Sequence, residues 1–226
     1  MPMYDGSIID AHFHAYADHG CRDFLLALME KAGLSGICVA AAPLKLNYDR
    51  LCCNKLALEL KRAMPEKFFA FGGLDYSDKQ YLCDGSGLAE QARRLIDAGI
   101  DGMKMIEGKP DSRKLLGLPL DAAPLLPVYE LLEKESIPLL LHVADPEEFW
   151  NPKTVPEWAK KNGWFWGDGT HRSKEQLYFE TEAVLGKLPA LKVILAHFFF
   201  ISADIEAAAD FLDKWENVSF DLTPGM

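Results

Sequence analysis

The sequence predicts an α/β fold: a TIM-type (β/α)8 barrel with its eighth strand missing from this chain. Three observations lead there. Short β-rich apolar runs alternate with helical spacing along the whole chain, which means parallel strands joined by crossovers. The first strand ends in His12-Phe13-His14 with no G-x-G-x-x-G turn anywhere. That argues against an open doubly wound sheet and for the closed barrel. Finally, the chain stops directly after its seventh strand, whereas a barrel takes eight.

The elements follow in order. Strands are expected at Ser7–His14, Ser35–Ala42, Lys67–Asp75, Ile100–Glu107, Ile137–Ala144, Leu191–Phe198 and Asn217–Thr223. The first helix, Asp23–Ala32, buries Phe24, Leu25, Leu28 and Met29 as one stripe. Tyr48–Met64 reads helical and stops at Pro65, which cannot continue the backbone bonding. Leu88–Ala98 ends at Gly99, suited to a left-handed cap. Helices at Asp121–Ser136, Lys174–Leu188 and Ala203–Trp215 complete the set. The interval between the fifth and sixth strands is too long for one βα unit, so an inserted loop is expected at about 145–173. No linker or internal repeat is visible, and residues 1–226 read as one domain.

Composition narrows the function classes. The net charge of −10 repels phosphate backbones, which argues against nucleic acid. No apolar stretch is long enough to span a membrane, and the N-terminus lacks the pattern of a signal peptide. Five cysteines at irregular spacing, two of them adjacent, fit reduced thiols and a cytoplasmic location.

Of six histidines, His12, His14, His142 and His197 fall at the C-terminal ends of expected strands, where parallel α/β folds collect ligands. Side chains at i and i+2 of a strand face one way, so His12 and His14 project together and can chelate one ion. Asp10 points inward one step deeper, placed to orient a ligand or the chain. His19 and His171 read as surface loop residues. Lys104 sits inside a mostly apolar strand and must find a carboxylate or lose its charge. It can hold a substrate carboxylate, bridge two metals once carboxylated, or snorkel out of the strand end. Asp221 faces inward on the last strand, as a polar contact to substrate or a hydrogen bonder at the barrel end.

The insert holds four of the five tryptophans, Trp150, Trp158, Trp164 and Trp166. Loops after barrel strands form the pocket mouth. These rings, Trp150 and Trp166 above all, are therefore expected either to line a site for a planar or apolar substrate or to pack the insert as a local core. Lys104 and Arg172 favour a small carboxylic acid.

Five stretches carry a family resemblance: Ile9-Asp-Ala-His-Phe-His14, Asp101-Gly-Met-Lys104, Pro138-Leu-Leu-Leu-His142, Lys192-Val-Ile-Leu-Ala-His-Phe198 and Asn217-Val-Ser-Phe-Asp221. In order and spacing they resemble the amidohydrolase superfamily, in the amidohydrolase-related branch of aminocarboxymuconate-semialdehyde decarboxylase. That branch also holds aromatic-acid decarboxylases, hydratases and lactone hydrolases. The resemblance implies that His12, His14 and His142 are metal ligands. His197 would be a further ligand or the group that orients or deprotonates a metal-bound water, and Lys104 falls where some members carry a bridging carboxylated lysine. It implies zinc, with manganese or another divalent metal as the alternative, and catalytic roles for His197 and Lys104.

The family also carries an aspartate after strand eight, and this chain ends at Thr223-Pro-Gly-Met226. An incomplete barrel with an open seam is therefore expected, masked by homo-oligomerisation or loop rearrangement. The expected function is metal-dependent hydrolysis of a small molecule. The alternatives are decarboxylation within the same branch, or an inactive fragment.

Overall fold

The computed structural model describes residues 6–16, 20–41, 53–77, 83 and 85–223. Its strands are β1 (Ile9–Phe13), β2 (Gly36–Ala40), β3 (Phe68–Gly72), β4 (Gly102–Gly108), β5 (Leu139–Val143), β6 (Val193–Leu195) and β7 (Val218–Phe220). The helices are α1 (Cys21–Ala32), α2 (Asn54–Ala63), α3 (Ser86–Ala98), α4 (Pro110–Leu116), α5 (Leu126–Lys134), α6 (Glu157–Lys161), α7 (Lys174–Lys187) and α8 (Ile205–Lys214).

Every neighbouring strand pair is parallel, and the order across the sheet is β1 to β7 in sequence. A doubly wound sheet reverses its order at a switch point, so sequential order leaves the barrel progression. Flat, seven strands would hold their outer members about 29 Å apart at the usual ~4.8 Å spacing. Instead, His12 on β1 hydrogen-bonds Asp221, just after β7, at 2.9 Å. The sheet is curled into an incomplete barrel whose first and seventh strands meet at their C-terminal ends.

Alternation gives the strands two apolar faces. Ile37, Val39, Phe68, Met103, Met105, Leu139, Leu141 and Val193 point outward and pack with Leu25, Leu88, Val128, Leu132 and Leu177 of the helices. Each such side chain contributes about 1.5–3 kcal/mol when fully buried. Cys38, Ala40, Phe71, Leu140 and Ala196 fill the interior. Gly102 is required there: a Cβ would lie 2.3 Å from the Phe71 ring. Above this apolar floor the interior face turns polar with Lys104, His12 and His142.

Several elements differ from expectation. Helix α4 was not anticipated, although Pro110 at its first turn and Gly117 at its end are ordinary helix punctuation. The expected Asp121–Ser136 helix begins only at Leu126, after a run of turns. The start of the Tyr48–Met64 helix, at 48–52, lies outside the described residues, as does His19. α2 starts at Asn54, whose side chain accepts from Gly73 N–H at 2.8 Å and donates to its carbonyl at 2.9 Å. The sixth strand stops at Leu195, not Phe198, because the chain there turns left-handed.

The insert carries a 3-10 turn, Glu147–Trp150, and α6. Its aromatic side chains pack as a small core of Phe149, Val155, Ala159 and Trp166, flanked by Trp150, Trp164 and Phe165. Among the described residues no strand pairs with the outer edges of β1 and β7, and Ile8, Ile9 and Leu222 are exposed beside them. Among the described residues no helix is long and apolar enough to cross a membrane.

Candidate metal centre

The site grows from the alternation of β1. Asp10 Oδ1 accepts from His12 N–H at 2.9 Å and fixes the strand end. His12 and His14, two residues apart, then stand on the interior side with ring centroids 5.1 Å apart.

Their hydrogen bonds determine their tautomers. His12 Nδ1 faces Asp221 Oδ2 at 2.9 Å. Burial pushes the Asp221 carboxyl up, but the His12 hydrogen bond and charge and the N–H groups of His197 and Thr223 outweigh it and hold it at about 2. Asp221 is therefore ionised and can only accept, so His12 Nδ1 carries the proton. His14 Nδ1 faces the Ala40 carbonyl at 2.9 Å and must likewise donate. Both Nε2 atoms are left with lone pairs, and they face each other at 3.1 Å.

A proton shared between them would resolve that conflict, but it is disfavoured. Burial first, then the charge of Lys104, pushes both imidazoles down to about 3. A metal cation resolves it instead: two imidazoles bound to one zinc at ~2.0–2.1 Å place their nitrogens at about this separation. The residues fit a divalent metal.

The rest of the expected set gathers here. His12, His197 and Asp221 each offer a ligand atom within 4.8 Å of the others. Asp221 Oδ1 also accepts from His197 N–H at 2.8 Å and Thr223 N–H at 3.0 Å. His197 Nδ1 donates to the Thr223 carbonyl at 3.1 Å, so its Nε2 carries the lone pair. His142 lies beside it, ring centroids 4.8 Å apart. Its Nε2, however, is turned to the Ala144 carbonyl at 3.1 Å and Asp145 Oδ1 at 3.4 Å. Phe200 lies against both rings, at 5.6 Å and 5.1 Å. Burial lowers the pKa of His142 and His197 as well.

Lys104 is fully buried, and its Nζ has no hydrogen-bond partner among the described residues. Burial pushes it down to about 7, against the pull of Asp221 and Glu107. It does not snorkel out. Glu107, on the opposite face of β4, accepts from the Tyr76 hydroxyl and is pushed up to about 7 by burial.

Trp166 is buried, and its Nε1 donates to Asp145 Oδ2 at 3.0 Å. Trp150 Nε1 donates to the Arg172 carbonyl at 2.9 Å. Trp166 thus packs within the insert and reaches His142 through Asp145, while Trp150 joins the insert to the main core. Asp145 also accepts from Lys109 at 2.9 Å, whose ammonium lies over Trp164 and Trp166. Sequence reasoning missed Asp145, which ties the insert to His142; a carboxylate three residues past a strand-end histidine was the available signal. His171 is outside the histidine group, bonded to Asp168 and Thr170 and packed edge-on against Trp166, ring centroids 4.8 Å apart.

The turn after β6 is strained. His197, Phe198, Phe199 and Phe200 all have φ between 50° and 59°, where each non-glycine residue costs roughly 1–2 kcal/mol. Beside it opens a cleft of about 540 Å³ lined by His197, Phe200, Lys174, Tyr178, Glu147 and Asp204 among others.

The depressed histidines fix the pH response of the metal-free chain. His12 and His14 titrate near 3 when folded and near ~6.5 when unfolded. Between those values the unfolded chain binds more protons, so the contribution of these two histidines is full above pH ~6.5 and declines as pH falls toward 3. Each histidine adds a slope of about 1.4 kcal/mol per pH unit. Urea midpoints of the metal-free chain should fall from pH 6.5 to 5, where the lowered imidazoles outweigh the opposite slope of Glu107. They should rise from 7 to 8 as Lys104 loses its proton in the folded chain only; a level profile across pH 5–7 would contradict the burial.

A family model described as amidohydrolase matches residues 9–224. No curated protein matches the chain. Among solved structures, an uncharacterized TIM-barrel protein from Bordetella bronchiseptica is similar at 15% identity and a TM-score of 0.65, over 97% of this chain and 78% of that one. A 2,6-dihydroxybenzoate decarboxylase from Rhizobium is similar at 15% identity and 0.61, over 96% and 79%. A 5-carboxyvanillate decarboxylase from Novosphingobium aromaticivorans with bound manganese is similar at 16% and 0.53, over 84% and 54%.

Proposed function

Because this chain belongs to the amidohydrolase family, we propose that it is a divalent-metal-dependent decarboxylase of a small carboxylic acid. The observation that carries the metal reading is the pair of unprotonated Nε2 atoms of His12 and His14, 3.1 Å apart. His12, His14 and His197 would hold the ion, with His142 beside them. Asp221, engaged with His12 and two backbone N–H groups, would stand behind the ligands and fix their orientation. Imidazole donors favour zinc; manganese is the alternative, as in the 5-carboxyvanillate decarboxylase structure. When bound, the ion supplies Lewis-acid polarisation of substrate oxygens.

Lys104 supports the carboxylate. A buried amine whose pKa is pushed down takes up its proton when an anion arrives beside it, and Lys104 Nζ, with no hydrogen-bond partner among the described residues, is such a group. Phe200, tilted against the rings of His142 and His197, offers an apolar wall suited to a ring. The names of two similar structures, both decarboxylases of hydroxylated aromatic acids, agree with that substrate class.

Hydrolysis is the second reading, favoured by His197. In that reading His197 stands off the ion: its Nδ1–H is held by Thr223 O, so the lone pair of Nε2 is available to take a proton from water.

One experiment separates them. The zinc- and manganese-loaded chain is offered a panel of hydroxylated aromatic acids and, separately, their esters and lactones. Metal-dependent release of carbon dioxide from an acid is the expected result. Ester or lactone cleavage without carbon dioxide release would replace the first reading with the second.

Lys104→Met adds a prediction. Removing a buried, unpartnered amine should stabilise the fold by about 1–2 kcal/mol, leave bound metal unchanged and abolish turnover. A drop in metal stoichiometry would instead identify Lys104 as a carboxylated metal ligand.

A further inference from the structure

The left-handed turn after β6 exposes consecutive carbonyls that its own backbone serves poorly; within it, Ile201 N–H donates to Phe198 O at 3.1 Å. The next two carbonyls are satisfied from α7. Tyr178 Oη donates to Phe199 O at 2.6 Å and Lys174 Nζ to Phe200 O at 2.9 Å. The two donors are four residues apart and share one helix face. Lys174 is buried and also pairs with Glu147, in the turn after β5, at 3.3 Å. The buried Phe199 ring stacks on Tyr178 with centroids 4.2 Å apart. From the other side, Asp221 accepts from His197 N–H through its side chain and from Phe198 N–H through its backbone, both at 2.8 Å.

We infer that Lys174 and Tyr178 are positioning residues, a clamp from α7 that holds four non-glycine residues left-handed and thereby aims the His197 ring into the metal centre. An L-residue leaves that region when nothing holds it there. Four in a row persist only where surrounding groups over-determine them, and among the described residues the side chains that do so at the carbonyl side are these two. His197 is the first left-handed residue of the turn, so the turn sets the backbone from which its ring projects. The inference rests on the proposed function only for what His197 binds; the clamp stands on geometry alone.

The test is Tyr178→Phe, which removes the hydroxyl and keeps the stacked ring, with Lys174→Met as the second variant. Hydrogen exchange at the 197–201 amides and the His197 ring-proton resonance are followed in the metal-free chain; zinc affinity is measured by chelator competition. In each variant, exchange in the turn should rise about tenfold, the His197 resonance should shift, and zinc affinity should fall about tenfold, as for other supports of ligand histidines. Adding Phe198→Gly to Tyr178→Phe removes the Cβ conflict at a left-handed position and should recover most of the zinc affinity.

Wild-type exchange in both variants overturns the clamp. Faster exchange with unchanged zinc affinity overturns the positioning role. If the wild-type chain binds no zinc, the metal reading falls, and exchange with the His197 resonance alone decides whether the clamp exists.

Discussion

Replacing His12 by alanine lowers zinc affinity by more than about 100-fold, since loss of mere supporting groups already costs 10–100-fold. The variant loses one of the two facing Nε2 atoms and separates His14 from the group that joins His197 and Asp221. The metal-free fold suffers far less. Asp221 keeps its two backbone donors, and the lone-pair conflict with His14 disappears, so the loss of stability is about 1 kcal/mol. Chelator competition and urea denaturation measure the two effects separately. His171→Ala, at a histidine bonded to Asp168 and separated from His142 by Trp166 and Asp145, is the control and leaves zinc affinity unchanged. Equal affinity in His12→Ala and wild type would refute the ligand assignment.

Asp221→Ala acts in the other order, on stability first. It leaves His12 Nδ1–H and the N–H groups of His197 and Thr223 without their acceptor. Hydrogen bonds to a charged group contribute ~1.5–3 kcal/mol each and are not additive; a loss of about 3 kcal/mol is expected. In a chain of this size that lowers Tm by about 10 °C. The same carboxylate spans the seam between β1 and β7 and holds one side of the left-handed turn, so zinc affinity falls with it. Asp221→Asn keeps the shape and an acceptor and should recover about half the stability. Calorimetry of the two metal-free variants checks this; a Tm within 2 °C of wild type for Asp221→Ala would mean that the seam contact carries no weight.

The strands were legible because their apolar runs are bounded by proline, glycine and polar residues, and each of the seven appears in the described sheet. The facing of His12 and His14 was legible from strand periodicity alone. Asp221 was recognised as an inward polar residue, but its partner lies 209 positions away, and only the curl of the sheet brings the two together. The stretch Ala196-His-Phe-Phe-Phe200 gave no sign of a left-handed turn, because it lacks the glycine or asparagine that usually marks one. Its conformation is imposed by Tyr178, Lys174 and Asp221, which are remote in sequence. The tryptophans illustrate a different limit. Their density signalled an apolar cluster, but composition does not say which way a cluster faces, and here Trp166 turns into the insert to meet Asp145.

The central claim is that buried, unprotonated imidazoles on β1 and after β6 form a centre for a divalent metal. Its most direct test is elemental analysis of the purified chain after loading with zinc and dialysis against chelator-free buffer at pH 7.5. About one zinc per chain, falling to none in His12→Ala, is the predicted result. A wild-type chain that retains no zinc, and no manganese when loaded with it, would contradict the account.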